Sequence, residues 1–189
     1  MIGKDPFPKE KTVTRTIRIN EAYDEALKYE AERHGVSVNT LVDQVLRRYS
    51  HSYRYFDSLS AVTISGKTLE RLLSNIPKEK MGEMGKALGE ERPKNLLLLR
   101  GLPLDYNSVI WYLTELLGDT SNWYRATYHR RGEHDILHLS HGLGEGWSLF
   151  LGMYVTAFFG EVLGITPSTE TLGNSVTFTI DVAKVKKGK

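Results

Sequence analysis

The sequence contains no cysteine, so disulfides and thiolate metal sites are excluded. It has no long apolar run either. The longest uncharged stretch, residues 146–160, has about 15 residues, whereas a bilayer-spanning helix needs about 20. No signal peptide is recognisable, because Lys4 and Asp5 interrupt the start of the chain. These absences predict a cytoplasmic protein that does not insert into a membrane.

A strong excess of charge is also missing. The chain has 25 Lys and Arg against 23 Asp and Glu, which argues against nonspecific coating of nucleic acid. A local excess is present in residues 1–11, where three lysines stand against one Asp and one Glu. We interpret this segment as a basic flexible arm that precedes the first folded domain.

Residues 12–19 predict a short strand with two different faces. Six of these eight residues are β-branched, which favours a pleated strand. The first face is apolar apart from one arginine and comprises Val13, Arg15, Ile17 and Ile19. The second face is polar and comprises Thr14, Thr16 and Arg18. A strand this short cannot bury its own face, so we expect it to pair with the same strand of a second chain.

Two helices are predicted after the strand. Asn20 is the expected N-cap of a helix over residues 21–34, and Gly35 is expected to end it. Ser37 is the expected N-cap of a second helix, whose apolar stripe continues to about residue 56.

Residues 12–49 resemble a ribbon-helix-helix DNA-binding domain, the fold of the Arc and MetJ repressors. The resemblance rests on the spacing from Ile19 through Gly35 to the polar start of the second helix. It implies that two chains pair their strands and insert the ribbon into the DNA major groove, a groove wide enough for it. The implied base-reading residues are Thr14, Thr16 and Arg18.

The same resemblance implies a phosphate site at the start of the second helix. The residues concerned are Ser37, Val38 and Asn39, and exposed amides at a helix N-terminus do favour anions. Arg15 departs from the family pattern, which has a buried apolar side chain at this position. Either Arg15 extends to a phosphate or the strand register differs by one residue.

Residues 57–189 predict a second domain of mixed helices and strands, which makes the fold class α+β. The expected strands are residues 59–65, 94–100, 123–130, 135–141 and 175–182, although a helix is an alternative for 94–100. The expected helices are residues 68–76, 78–88, a helix capped by Asp105, and 147–163. The segment 78–95, rich in Lys, Glu and Gly, is the expected flexible part.

The Gly-rich turn at residues 141–148, followed by an apolar helix and a strand, is similar to vinyl-reductase-like and haem-nitric-oxide-binding-like small-molecule domains. This second resemblance implies that the larger domain senses a small ligand or mediates oligomerisation. It transfers no binding residue.

Four histidines occur close together in the sequence, and with nearby carboxylates they are candidate ligands for a metal or haem iron. They are His129, His134, His138 and His141. Alternation along a strand argues against one site, because it places His138 and His141 on opposite faces.

A complete catalytic set is not visible. Asp135, Ser140 and His141 have the residue types of a hydrolase triad, but no nucleophile elbow accompanies them. We therefore predict that the protein is not an enzyme.

The sequence as a whole predicts a dimeric or tetrameric transcriptional regulator, such as a repressor, that binds double-stranded DNA and responds to a ligand through residues 57–189. No particular cofactor is predicted. Two alternatives stay open: a metal- or haem-responsive regulator that uses the histidines, and an antitoxin-like module that binds another protein.

Overall fold

The computed structural model describes residues 12–56 and 61–187, so the predicted arm at residues 1–11 lies outside the described residues. The described residues divide into two compact units, with the boundary between Ala61 and Val62. We call residues 12–56 the helical unit and residues 62–187 the sheet unit. The fold class is α+β, as predicted, because the second unit combines helices with a four-stranded sheet.

The helical unit contains α1 (Glu21–His34), α2 (Val38–His51) and a short 3-10 turn, Tyr53–Tyr55. The Asn20 side chain accepts a hydrogen bond from the Ala22 amide at 2.9 Å, and Gly35 ends α1 with φ of 64°. The Ser37 hydroxyl accepts from the Thr40 amide at 3.1 Å. The local signals for the two helices were therefore correct, except that α2 ends at His51 rather than near residue 56.

Residues 12–20 have no regular secondary structure, so the strand predicted at 12–19 is not formed within a single chain. A strand is stabilised by hydrogen bonds to a neighbouring strand. The described part of the helical unit offers no other strand to supply them. The apolar face of this segment is consequently exposed, with Val13 at 75% and Ile17 at 67% of full accessibility.

The sheet unit has five helices and four strands within the described residues. The helices are α3 (Gly66–Leu73), α4 (Lys78–Leu99), α5 (Tyr106–Trp111), α6 (Glu145–Leu163) and α7 (Val182–Lys187), with a π-helix, Tyr112–Thr120, after α5. The strands are β1 (Arg125–Arg131), β2 (His134–Ser140), β3 (Ser168–Leu172) and β4 (Ser175–Asp181). All pairings are antiparallel, and the strand order is β1-β2-β4-β3.

Two predicted strands are not formed. For residues 94–100 the helical alternative is correct, because α4 continues to Leu99 and buries Leu97 as the next member of its stripe of one residue in four. Residues 61–65 have no regular structure, and Gly66 begins α3 instead of ending a strand, while residues 59–60 lie outside the described residues. The sequence analysis did not predict β3 or α7.

The two faces of the sheet differ in burial. At the centre of the sheet the inner face is apolar and fully buried, and its residues there are Leu137, Leu139, Val176, Phe178 and Ile180. Helix α6 packs against β3 and β4 on this side. The outer face carries threonine, serine, histidine and arginine, as expected for an antiparallel sheet with one solvated face.

Helices α4 and α6 run in the same direction at very close range. Lys78 pairs with Glu145 and Lys94 pairs with Glu161, both at 2.6 Å, so the same offset of 67 residues holds at both ends. Between these ion pairs, Gly85 and Gly89 lie directly on the backbone of α6. The segment expected to be flexible is thus a packed helix, and its glycines permit the contact.

By length and composition alone, α6 could cross a membrane, and it is the one such helix among the described residues. Half of its apolar window is buried inside the protein, however, against α4 and the sheet. Helix α6 is therefore placed as the core helix of a globular unit.

Candidate nucleic-acid interface

The residues predicted to read DNA bases are all accessible. Thr14, Thr16 and Arg18 lie in the irregular segment before α1 and are exposed. Arg15 is exposed as well, so this guanidinium is free to extend towards a phosphate. The single chain therefore leaves all four of these side chains accessible.

The start of α2 has the features of an anion site. The Ser37 hydroxyl accepts a hydrogen bond from the Thr40 amide, and the Ser37 carbonyl accepts one from the Leu41 amide at 3.0 Å. In the described part of the chain, no hydrogen bond engages the amides of Val38 and Asn39, the first two of the helix. Two free amides at the positive end of a helix can bind a phosphate oxygen.

The two helices of the helical unit leave most of their apolar residues exposed. On α1 only Ala31 is buried, at 3% accessibility. On α2, Val45, Leu46 and Tyr49 are each more than half exposed. An amphipathic helix normally buries its apolar face, so this exposed surface is a candidate binding face.

The exposed apolar surface includes a groove of about 330 Å³. Its lining is His34, Val36, Leu41, Gln44, Val45 and Arg48. Val36 and Leu41 occupy positions N′ and N4 around the Ser37 cap, where a hydrophobic staple fixes how the chain enters the helix. The Ser37 cap and the hydrophobic staple therefore fix the position of the groove, and they also position the candidate phosphate site at the start of α2.

Three of the four histidines share one face of the sheet. His129 lies opposite Ile136 in the β1–β2 pairing, and His134 and His138 flank Ile136 along β2. All three therefore lie on the outer face, where His138 Nδ1 is 2.9 Å from the Thr177 hydroxyl. Among the described residues, no three side chains of His, Asp or Glu are arranged to hold a metal ion.

His141 has a different role, which its hydrogen bonds define. Its Nδ1 accepts from the Leu143 amide at 3.2 Å, so the ring proton of the neutral form is on Nε2. Nε2 then donates to the Ser148 hydroxyl at 2.9 Å, and Ser148 donates to the Gly173 carbonyl at 2.7 Å. Both ring nitrogens of His141 are thus engaged in connecting β2, α6 and the β3–β4 turn.

This arrangement predicts a pH dependence of stability. Burial lowers the pKa of His141 below 6.5, because it disfavours the charged imidazolium. Protonation of Nδ1 would also remove the acceptor for the Leu143 amide. The unfolded chain then binds more protons below pH 6.5, so the free energy of unfolding should fall as the pH drops below 6.5 towards the folded pKa. Urea unfolding between pH 7.5 and 5.5 should show a shallower pH slope for His141→Gln than for the wild type. The exposed His129→Gln variant is the control, and equal slopes for all three proteins would contradict the assignment.

Asp135, considered in the sequence only as a triad candidate, is a buried carboxylate at the other end of β2. Asp135 is buried and accepts hydrogen bonds from the hydroxyls of Tyr106, at 2.8 Å, and Tyr128. Burial raises the pKa of both phenols, so they remain neutral donors to Asp135. Asp135 and His141 lie at opposite ends of the strand, so they do not form a triad.

Comparison with known proteins gives a match to a protein-family model. The HicB family model matches residues 9–46, about a fifth of the chain, which include α1 and α2 as far as Leu46. No curated protein and no solved structure matches the chain.

Proposed function

We propose that this protein is a dimeric, sequence-specific DNA-binding regulator in which residues 12–56 of two chains form one ribbon-helix-helix domain. One observation carries the proposal: two correctly capped helices leave their apolar faces exposed beside an unpaired β-branched segment. A second copy of the same unit would cover these faces and supply the missing strand neighbour.

The family match supports this proposal because it covers the same segment. The HicB family comprises antitoxins with ribbon-helix-helix relatives, and its model spans residues 9–46. The match includes the strand segment and the start of α2, the two parts that would face DNA.

In the proposed complex, alternate strand residues enter the major groove. Arg18 would donate to a guanine through its planar guanidinium, and Thr14 and Thr16 would contact base edges or methyl groups. The Val38 and Asn39 amides of each chain would hold a backbone phosphate and so fix the register of the ribbon. The sheet unit would bind an effector or join dimers into tetramers, and ligand binding would change DNA affinity only if the ligand prefers one arrangement.

The proposal predicts different results for two neighbouring arginines. Arg18→Ala should cost about 1–3 kcal/mol of specific binding and relax the preference at one base position. Arg15→Ala should weaken binding to all DNA sequences alike. It should also reduce the slope of affinity against salt concentration by about one unit, the value expected for one lost phosphate contact. Selection from a random duplex library, followed by fluorescence anisotropy at several salt concentrations, measures both effects.

Arg33→Ala is the matched control, because Arg33 is ion-paired with Glu30 on α1 and lies outside the proposed interface. An Arg18→Ala protein that selects the same sequence with the same affinity would contradict the base-reading role. Failure of the wild type to select any sequence would contradict DNA binding itself.

An antitoxin-like module is the second candidate, and the HicB match favours it. In that case the exposed face of α2 would bind a different protein as well as, or instead of, a second copy. Measurement of the mass of the complex purified from its native cells separates the two candidates, because a second, different subunit is expected only for the antitoxin-like module.

A further inference from the structure

One side of α6 is apolar and exposed. The helix has two charged residues, Glu145 and Glu161, which stand near its two ends. Its exposed residues are these two acids and, between them, Leu149, Met153 and Gly160, which we call the outer stripe. A helix that is apolar on all sides is normally buried on all sides. Only half of the apolar part of α6 is buried inside the protein, and the outer stripe belongs to the remainder.

An ion pair with α4 closes each end of the outer stripe. Lys78 binds Glu145 and Lys94 binds Glu161, both at 2.6 Å. The two acids lie eight residues before and eight residues after Met153, which places them about 24 Å apart along the helix. The two lysines have the same spacing on α4. The charges around the outer stripe are therefore arranged symmetrically about Met153.

This arrangement is complementary to a second copy of itself. If the second α6 lies antiparallel, with Met153 opposite Met153, the Lys78–Glu145 pair of one chain faces the Lys94–Glu161 pair of the other. Each lysine then has a carboxylate of the other chain within reach besides its own, so no acid meets an unneutralised acid. Two-fold symmetry produces the same four-charge cluster at the opposite end. An apolar centre with a polar rim is the usual anatomy of a protein–protein interface.

From this symmetry we infer that the outer stripe is an interface for a second copy of the sheet unit, packed antiparallel about a two-fold axis at Met153. The inference identifies the surface through which the sheet unit would join chains, and it rests on the proposed function for its strength. A single helix face is small beside the roughly 1,000 Å² that a stable interface buries. Pairing of the helical units would supply the high effective concentration at which such a contact forms.

The first test uses the absence of cysteine from the chain, since one introduced cysteine then reports on this contact alone. In full-length Met153→Cys the two sulfur atoms would meet at the axis, and copper–phenanthroline oxidation should give a covalent dimer. In Leu149→Cys the same packing would separate the two positions by about 12 Å along the helices, so its disulfide should form about tenfold more slowly. Because the native side chains are similarly exposed, at 37% and 42%, random collision would oxidise both variants alike.

Met153→Glu tests the contact without oxidation. It would place two carboxylates against each other at the axis, so self-association of the full chain should weaken about tenfold in analytical ultracentrifugation. Met84→Glu is the matched control, because Met84 is equally exposed, at 42%. Met84 lies about 200° around α4 from Gly82, the residue beside the Met153 side chain, and so faces away from the outer stripe. This control should associate like the wild type.

Equal oxidation rates of Met153→Cys and Leu149→Cys would overturn the inference, and so would unchanged association of Met153→Glu. Binding of the wild type to phosphatidylcholine vesicles, with no disulfide formed by Met153→Cys, would also overturn it and assign the outer stripe to a lipid surface. A protein that forms the Met153→Cys disulfide but selects no DNA sequence would retain this interface and refute the proposed function instead.

Discussion

Gly85→Ala is expected to cost more than about 3 kcal/mol of folding stability, because there is no space for its methyl group. A Cβ atom at this position would lie 2.3 Å from the Phe150 carbonyl oxygen and 3.0 Å from the Phe150 carbonyl carbon. These are backbone atoms of α6, so no side-chain rotation relieves the clash. The helices must separate, and the ion pairs that close both ends of the contact would be strained. Urea unfolding, followed by circular dichroism, measures the loss.

Gly82→Ala provides the matched control on the same helix. A Cβ atom there would meet the Met153 side chain at 3.7 Å, an ordinary contact. The better helix propensity of alanine should then increase stability by about 0.5–1 kcal/mol. A Gly85→Ala protein as stable as Gly82→Ala would contradict the close approach of α4 and α6.

Val45→Glu is expected to abolish specific DNA binding by separating the two chains of the helical unit. Val45 lines the apolar groove and is about half exposed in the single chain. If a second copy covers this face, an unpaired carboxylate would be buried there, at a cost of several kcal/mol. A cost of this size weakens association at least 100-fold. Analytical ultracentrifugation, together with anisotropy on the selected duplex, measures both effects.

Ala26→Glu is the control for this variant, since it adds the same group to an exposed position of α1. Its association and DNA affinity should equal those of the wild type. Because the sheet unit could hold two chains together by itself, DNA affinity is the deciding measurement. An unchanged affinity of Val45→Glu for the selected duplex would exclude α2 from the functional interface.

The helical unit was predictable because its signals are local. Asn20, Gly35 and Ser37 act within a few residues of their own positions, and each caps or ends a helix as its chemistry requires. The strand at residues 12–19 is a different case. Its formation depends on a partner strand, so the composition of the segment cannot by itself produce a ladder in one chain.

The sheet unit was less predictable because distant contacts determine it. Residues 94–100 have the apolar composition of a buried strand, but α4 has already begun at Lys78 and continues through Pro93 to reach α6. The packing role of Gly85 and Gly89 also depends on the position of α6 against them. Taken alone, a glycine suggests a flexible chain. The short strand β3 is exposed along its length and lacks the alternation that identifies a half-buried strand.

The constant offset of 67 residues between α4 and α6 has a consequence for biosynthesis. Helix α4 contains glycines and is unstable by itself. Its packing partner, α6, leaves the ribosome only after α5, the π-helix and the first hairpin. The helical unit contains mainly neighbouring contacts, which form rapidly and without the rest of the chain. We therefore expect nascent chains to present the apolar face of α2 early, so that pairing between two growing polypeptides can begin before the sheet unit is complete.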